Sequence, residues 1–185
     1  MPSLFGHGLA SIAIGSGFSK SIKNWKFWFL GIFCAILPDV DVISFSLGIP
    51  YSHTFGHRGF THSFLFAFLI GLFLTVIFYR KNTLSLKGGG YILFFTLCTA
   101  SHSILDAMTD GGLGVAFFSP FDNSRYFFPW RPIKVSPIGA SNFFSEWGKR
   151  VLISEFIWIG IPGMILIIFN NLLKKIKSPN TVKIK

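Results

Sequence analysis

Apolar residues in this chain gather into long runs rather than alternating with polar ones. Residues 64–79 are sixteen positions without a charge; with 59–63 added they approach the roughly 20 residues that cross a bilayer as a helix. Residues 151–173 carry one charge, Glu155. Residues 90–108 are apolar for their first eleven positions and then turn polar at Ser101, His102 and Asp106. Residues 25–37 are shorter and stop at Pro38, where a helix break is expected because proline disfavours helical geometry in the residue before it. Residues 4–18 are shorter still and rich in Gly and Ser, which fits a thin span, a half-buried helix or an interfacial one. Gly88-Gly89-Gly90 reads as a turn before the 90–108 run. The pattern predicts an all-α fold, a polytopic membrane helix bundle of about four to five membrane-embedded helices. One long irregular loop is expected at 109–150, a single membrane-embedded domain over 1–173, and a basic tail at 174–185.

Composition strengthens the membrane reading. Of 185 residues 51% are apolar and only 13% charged, against about 25% charged in an ordinary soluble domain. The net charge of +10 raises the question of nucleic acid, but the basic residues sit at run ends: Lys20, Lys23, Lys26; Arg80, Lys81, Lys87; and Lys174 to Lys185. Basic clusters beside apolar runs mark cytoplasmic loops, so the expected partner is a lipid bilayer and no nucleic acid is expected. Let residues 4–18 run outside to inside and each later run reverse. All seven acids and all five histidines then fall outside or near the outer boundary. The five basic residues of 109–150 oppose that arrangement. Cys34 and Cys98 lie inside apolar runs and read as small core residues. No basic segment precedes the first run, so no cleavable signal peptide is expected.

The chemistry-bearing residues form four short clusters: His7; Pro38-Asp39-Val40-Asp41; His57-Arg58-Gly59-Phe60-Thr61-His62-Ser63; and Ser101 to Asp106. Ionisable groups in apolar sequence are costly and are functional suspects. His102 and Asp106, four apart, share a helix face and offer a nitrogen and an oxygen to one metal; Asp110 continues that face if the helix lasts another turn. Taken alone, the pair is explained more simply by a buried His–Asp hydrogen bond that steadies helix packing. Asp39 and Asp41 leaving a helix C-terminus oppose its dipole, which calls for a cation, or they form an exposed acidic turn. Thr61 or Ser63 suits the cap of the following helix. Arg58 suits a phosphate or an acid partner such as Asp41. Glu155 is a metal ligand, an acid–base group or a carboxylate reaching to the interface. His53 reads as ordinary loop chemistry.

In this order the clusters resemble the YdjM family of bacterial inner-membrane proteins, described as candidate membrane-bound metal-dependent hydrolases. The matching elements are His7, Leu37 to Asp41, His57 to Ser63 and Ser101 to Gly112, with Phe118-Ser119-Pro120-Phe121 and Val135-Ser136-Pro137 also similar; the likeness covers about residues 1–140. More distantly they are similar to zinc-dependent phospholipase C and related single-strand nucleases. That resemblance implies metal ligation by His7, Asp39 or Asp41, His57 or His62, His102 and Asp106. It also implies a late HxxxE pair, for which this chain has no histidine after His102; Glu155 replaces only part of it.

The expectation is a divalent-metal centre, one or two zinc ions, held by His102, Asp106, His62 and at least one of Asp39 and Asp41, with Asp41 slightly preferred. Asp39 or Asp41 would orient the water of a phosphoester hydrolase acting on a lipid or lipid-linked substrate. Arg58, Arg125 or Arg131 would hold the phosphate. The alternative is a non-enzymatic membrane protein whose His/Asp cluster holds a structural metal or moves an ion or proton. The resemblance implies a bacterial inner-membrane location, and in such a membrane the charge pattern puts the site near the outer face.

Overall fold

The computed structural model describes residues 1–137 and 145–177; the remainder of the 109–150 loop and of the basic tail lies outside the described residues. Among them there is no strand, only isolated bridges between Thr109 and Ile133 and between Val115 and Tyr126. The helices are α1 (Leu4–Ser16), α2 (Trp25–Ile36), α3 (Ile43–Ser46), α4 (Phe64–Phe78), α5 (Leu86–Ala107), α6 (Glu146–Glu155) and α7 (Ile161–Lys177). A 3₁₀ segment, Leu37–Val42, joins α2 to α3, and a π-helical segment, Phe156–Gly160, joins α6 to α7, so the described residues form five helical rods. Three of them, Trp25–Ser46, Leu86–Ala107 and Glu146–Ile176, are long and apolar enough to cross a membrane; Leu4–Ser16 and Phe64–Phe78 are shorter apolar helices.

Local sequence explains where the rods begin. Asn24, Ser63 and Ser85 are N-caps whose side-chain oxygens accept from the amides of Phe27, Phe66 and Gly88 at 2.9, 3.1 and 3.2 Å, the usual capping chemistry of short polar side chains. One local expectation holds in part and another is corrected. The α-helix ends at Ile36, ahead of Pro38, but the rod continues: Pro38 stands in the first turn of the 3₁₀ segment, where its missing N–H has no intrahelical partner to lose. Gly88-Gly89-Gly90 is not a turn but the opening of α5; Gly88 is required there because a Cβ would lie 2.1 Å from the carbonyl oxygen of Asn82. Helix α6 begins at Glu146, inside the stretch expected to be loop, and α5 stops at Ala107, so Asp110 is not on its face.

The small residues of α1 let it sit among α2, α5 and α7, burying Gly6, His7, Gly8, Ser11, Ala13, Gly15 and Ser16. A Cβ on Gly15 would come within 2.6 Å of Trp28, one on Gly31 within 2.5 Å of Phe94, and one on Gly71 within 2.3 Å of Thr96 Oγ1. Small residues at such crossings are how helices approach closely in lipid. Phe27 and Phe94 stack at 3.8 Å and Tyr79 and Tyr91 at 3.7 Å in the aromatic core. Outward, α4 presents Phe68, Phe73 and Ile77, and α7 presents Ile165, Ile168, Phe169 and Leu172. Water would not tolerate so continuous an apolar surface; a bilayer does, and the fold is a helical membrane bundle. The antiparallel rods bring Asp39, His62 and Asp106 to one end and Lys23, Arg80, Lys87 and Lys174 to the other.

Candidate metal centre

Four elements converge at the acid-bearing end. α1 supplies His7, the 3₁₀ segment after α2 supplies Asp39 and Asp41, the 3₁₀ turn Phe60–His62 supplies His62, and the last turns of α5 supply His102 and Asp106. His7, His62, His102 and Asp106 are fully buried. The ligand-capable atoms of Asp39, His62, His102 and Asp106 all lie within 4.8 Å of one another. This His/Asp group can hold a metal ion.

Hydrogen bonding fixes how the imidazoles face. His102 Nδ1 is 2.8 Å from the carbonyl oxygen of Ala35; a carbonyl only accepts, so Nδ1 donates and Nε2 of the neutral ring is left with its lone pair. That Nε2 lies 3.0 Å from His62 Nε2 and 3.3 Å from Asp39 Oδ1. His62 Nδ1 lies 3.1 Å from Asp41 Oδ2, and His62 Nε2 is 3.5 Å from Asp106 Oδ2. Both rings thus turn Nε2 inward and anchor Nδ1 outward, the arrangement that orients histidine ligands in metalloproteins. Both oxygens of Asp39, both of Asp106 and both nitrogens of His7 are buried without an aligned hydrogen-bond partner among the described residues. Such orphaned acceptors are expensive, and a cation at that place satisfies them; the donor set fits a divalent metal of the zinc type.

Asp41 faces away from this group. Its Oδ1 is 2.6 Å from His57 Nδ1, and its Oδ2 accepts from Thr61 Oγ1 at 2.5 Å and from the Arg58 amide at 3.0 Å. It therefore sits one layer out, bracing His62, with His57 beyond it. His7 stacks on His102 at 3.8 Å and its Nε2 is 3.6 Å from Asp106 Oδ1. Arg58 is buried, and its φ of 60° is the only positive value at a non-glycine among the described residues, a strained setting of the sort that clusters at functional sites. Its partner is Asp106 rather than Asp41 for the side chain: Nε lies 2.8 Å from Asp106 Oδ2, while Nη1 donates to the Gly111 carbonyl at 2.9 Å and Nη2 to Thr109 Oγ1 at 3.2 Å. Gly112, at φ 89°, has to be glycine here, because a Cβ would come within 2.7 Å of Arg58 Nη1.

Charge supports a cation at the centre. Among side chains, Asp39, Asp41 and Asp106 against Arg58 leave two negative charges in a largely dry place when the imidazoles are neutral. Without metal, a proton takes part of the load: burial pulls the His62 pKa down, but hydrogen bonds to Asp106 and Asp41 outweigh it and lift it to about 9. The amino group of Met1 faces the same cluster; burial lowers its pKa against the raising effect of Asp106.

Other sequence candidates lie elsewhere. The Glu155 carboxylate accepts from the Ser3 amide and from Ser3 Oγ, the latter at 2.6 Å, tying α6 to the start of α1. Asp110 pairs with Lys134 at 2.8 Å and accepts from the Val135 amide. His53 is exposed and accepts from the Phe55 amide. Arg125 spends its donors on the carbonyls of Tyr51, His57 and Arg58, and Arg131 is exposed over the Phe127 ring. Sequence reasoning gave Thr61 only a capping role, which Ser63 fills, and missed its bond to Asp41, Thr109 and the Ala35 and Gly111 carbonyls. Thr61 lay inside the His57–Ser63 cluster, where a hydroxyl beside a histidine was a usable signal; the carbonyls leave none.

The family described as YdjM inner membrane protein matches residues 1–175. The chain is 40% identical over 169 residues to "Inner membrane protein YbcI" of Escherichia coli (strain K12), covering 90% of this chain and 95% of that one. No solved structure matches. With a whole-length match and a bundle of apolar rods around one buried His/Asp group, this chain belongs to the YdjM inner membrane protein family.

Proposed function

We propose that the protein is a metal-dependent hydrolase of the bacterial inner membrane, its site toward the outer face, cleaving a phosphoester of a lipid or lipid-linked substrate. The observation behind this reading is the inward convergence of the His62 and His102 Nε2 atoms, 3.0 Å apart, on buried Asp39 and Asp106 oxygens without an aligned hydrogen bond. Those four residues would hold the metal, with His7 beside them. Bound zinc supplies Lewis acidity toward a phosphoryl oxygen and acidifies water. Asp39, the least buried of the four with its side chain 8% exposed, would orient that water. Asp41 would hold the His62 ring, and Arg58 would fix Asp106. Arg131, exposed, is the arginine best able to meet a phosphate. A lipidic substrate is supported by an apolar groove of about 320 Å³ lined by Phe5, Gly6, Leu9, Leu152, Glu155 and Phe156, next to His7 in the chain.

One observation favours a second reading, a non-enzymatic structural metal. His62, His102 and Asp106 are 0% exposed, and closed four-ligand sites are the structural type, whereas catalytic sites keep a position open. Metal analysis of protein purified in detergent, followed by phospholipase and phosphatase assays, separates the two. The hydrolase reading expects copurifying metal and turnover that Asp39→Asn abolishes; metal without turnover supports the structural reading, and a metal-free wild type removes both. Topology is tested apart from chemistry: Thr83→Cys should resist a membrane-impermeant thiol reagent in intact cells, and efficient labelling would move the site to the cytoplasmic side.

A further inference from the structure

The opposite end of the bundle carries a second built polar feature. Lys23 Nζ donates to the Ser16 carbonyl at 3.1 Å, and Lys174 Nζ donates to the same carbonyl and to that of Phe18 at 2.8 Å. Asn170 Nδ2 donates to Ser16 Oγ at 2.8 Å. Lys23 also lies over the Trp28 ring at 5.3 Å. Both lysines are half-buried, while Lys20, Lys26 and Lys175 around them are exposed.

Capping the C-terminus of α1 accounts for part of this arrangement. A helix C-terminus presents roughly half a negative charge, and two ammonium groups meet it. The seven acids of the chain are Asp39, Asp41, Asp106, Asp110, Asp122, Glu146 and Glu155, none of them paired with these lysines among the described residues. Two like charges held on one oxygen repel unless an anion joins them. The donor count agrees: each ammonium has three N–H groups, one used by Lys23 and two by Lys174, so three remain. Burial and the neighbouring Lys174 lower the Lys23 pKa to about 8, as an uncompensated pair requires.

We propose that Lys23 and Lys174, on the Ser16 carbonyl, form a binding site for the phosphate of an anionic phospholipid at the basic end of the bundle. A phosphodiester brings one negative charge and acceptor oxygens for the remaining donors. The occupant is a lipid rather than free phosphate because Lys23 lies just before, and Lys174 lies in the last turn of, helices long and apolar enough to cross a membrane. Trp25 and Phe29 of α2 and Phe169 and Ile176 of α7, near them in sequence, are exposed and suit acyl chains and the membrane interface. The site shares no residue with the His/Asp group.

The test uses the full chain in phosphatidylcholine nanodiscs with a graded fraction of phosphatidylglycerol, reading lipid retention by native mass spectrometry and the shift in thermal unfolding. Wild type should retain phosphatidylglycerol and gain Tm with its fraction. Lys23→Gln/Lys174→Gln should bind it more than about 100-fold more weakly, because two charge-assisted hydrogen bonds to the phosphate are lost. Lys81→Gln/Lys87→Gln, with the same charge loss elsewhere at that end, should keep the response. Lys23→Arg/Lys174→Arg should retain it too, which guards against a glutamine pair that fails to fold. Equal loss in the 81/87 pair, no preference over phosphatidylcholine in wild type, or the same Tm gain from inorganic phosphate alone would each overturn the proposal.

Discussion

The two ends of the bundle handle charge in opposite ways. At one end the charges are gathered inward: Arg58 and Asp106 are within 1% of complete burial, His62 and His102 turn nitrogen toward nitrogen, and outlying polar atoms brace the inner ones. At the other end they face outward or are half-buried, and their oxygens are backbone carbonyls rather than carboxylates. The difference teaches how a thin membrane protein separates two electrostatic tasks. A buried carboxylate cluster is stable only around a cation, because each unpaired ion in a dry place costs several kcal/mol. Lys23 and Lys174 at the bilayer edge are only partly desolvated, and backbone carbonyls together with an anion offset that loss.

The sharpest way to break this contrast is to remove an inward-facing nitrogen. His102→Ala should lower metal affinity by more than about 100-fold, since even outer residues bracing a ligand are worth 10–100-fold; His53→Ala, on an exposed loop, should leave it unchanged. Metal analysis of the two folded variants measures this, and equal metal content would reduce the cluster to packing. Next comes Asp41→Asn, which keeps shape but weakens the grip on His62 and His57: affinity should fall about 10–100-fold, less than for His102→Ala. A loss as large as that variant's would make Asp41 a direct ligand.

A substitution between the two ends should disturb neither. Gly71→Val pushes a side chain into Thr96 and the Ile92 carbonyl, and overpacking of this kind costs about 1–3 kcal/mol. Thermal unfolding in detergent should show that loss with metal content per folded chain intact. The smallest effect belongs to a pair at the acid-bearing end that is not buried. Lys134 and Asp110 are 47% and 29% exposed, so Lys134→Ala should cost under about 1 kcal/mol. Burial raises the Asp110 pKa, but Lys134 and the Val135 amide outweigh it and the net shift is downward. The pair therefore contributes above the ordinary aspartate range, about pH 4, and its contribution is lost as pH falls through the lowered value. Unfolding followed from pH 6 to 3 should be less steep in Lys134→Ala.

Much of the fold was legible because a bilayer imposes length and composition on whatever crosses it. The runs at 64–79, 90–108 and 151–173 correspond to α4, α5 and the α6–α7 rod. The HxxxD spacing of His102 and Asp106 was legible for the same geometric reason, one helix face per turn. Pitch was not legible. In a 3₁₀ segment successive residues turn by about 120°, so Asp39 and Asp41 point to different sides, and only one can face His102; an α-helix ending at Pro38 gave no basis for choosing. The Arg58–Asp106 pairing was out of reach because nothing in the 57–63 cluster says which distant acid will face it. Glu155 was ambiguous because its partner is Ser3, whose role as helix cap does not advertise a carboxylate.

The short central helix carries a consequence for biogenesis. At about 1.5 Å per residue, the 13 residues of α1 rise about 20 Å, well short of a hydrocarbon core of about 30 Å. Its buried Gly, Ser and Ala side chains gain little from lipid. Its place exists only once α2, α5 and α7 have closed around it. Of those three, α7 is the last to leave the ribosome. α1, which precedes all three in the chain, is therefore among the last to settle, and it brings His7 with it. Completion of the polar cluster then reports that α2, α5 and α7 have been inserted and assembled.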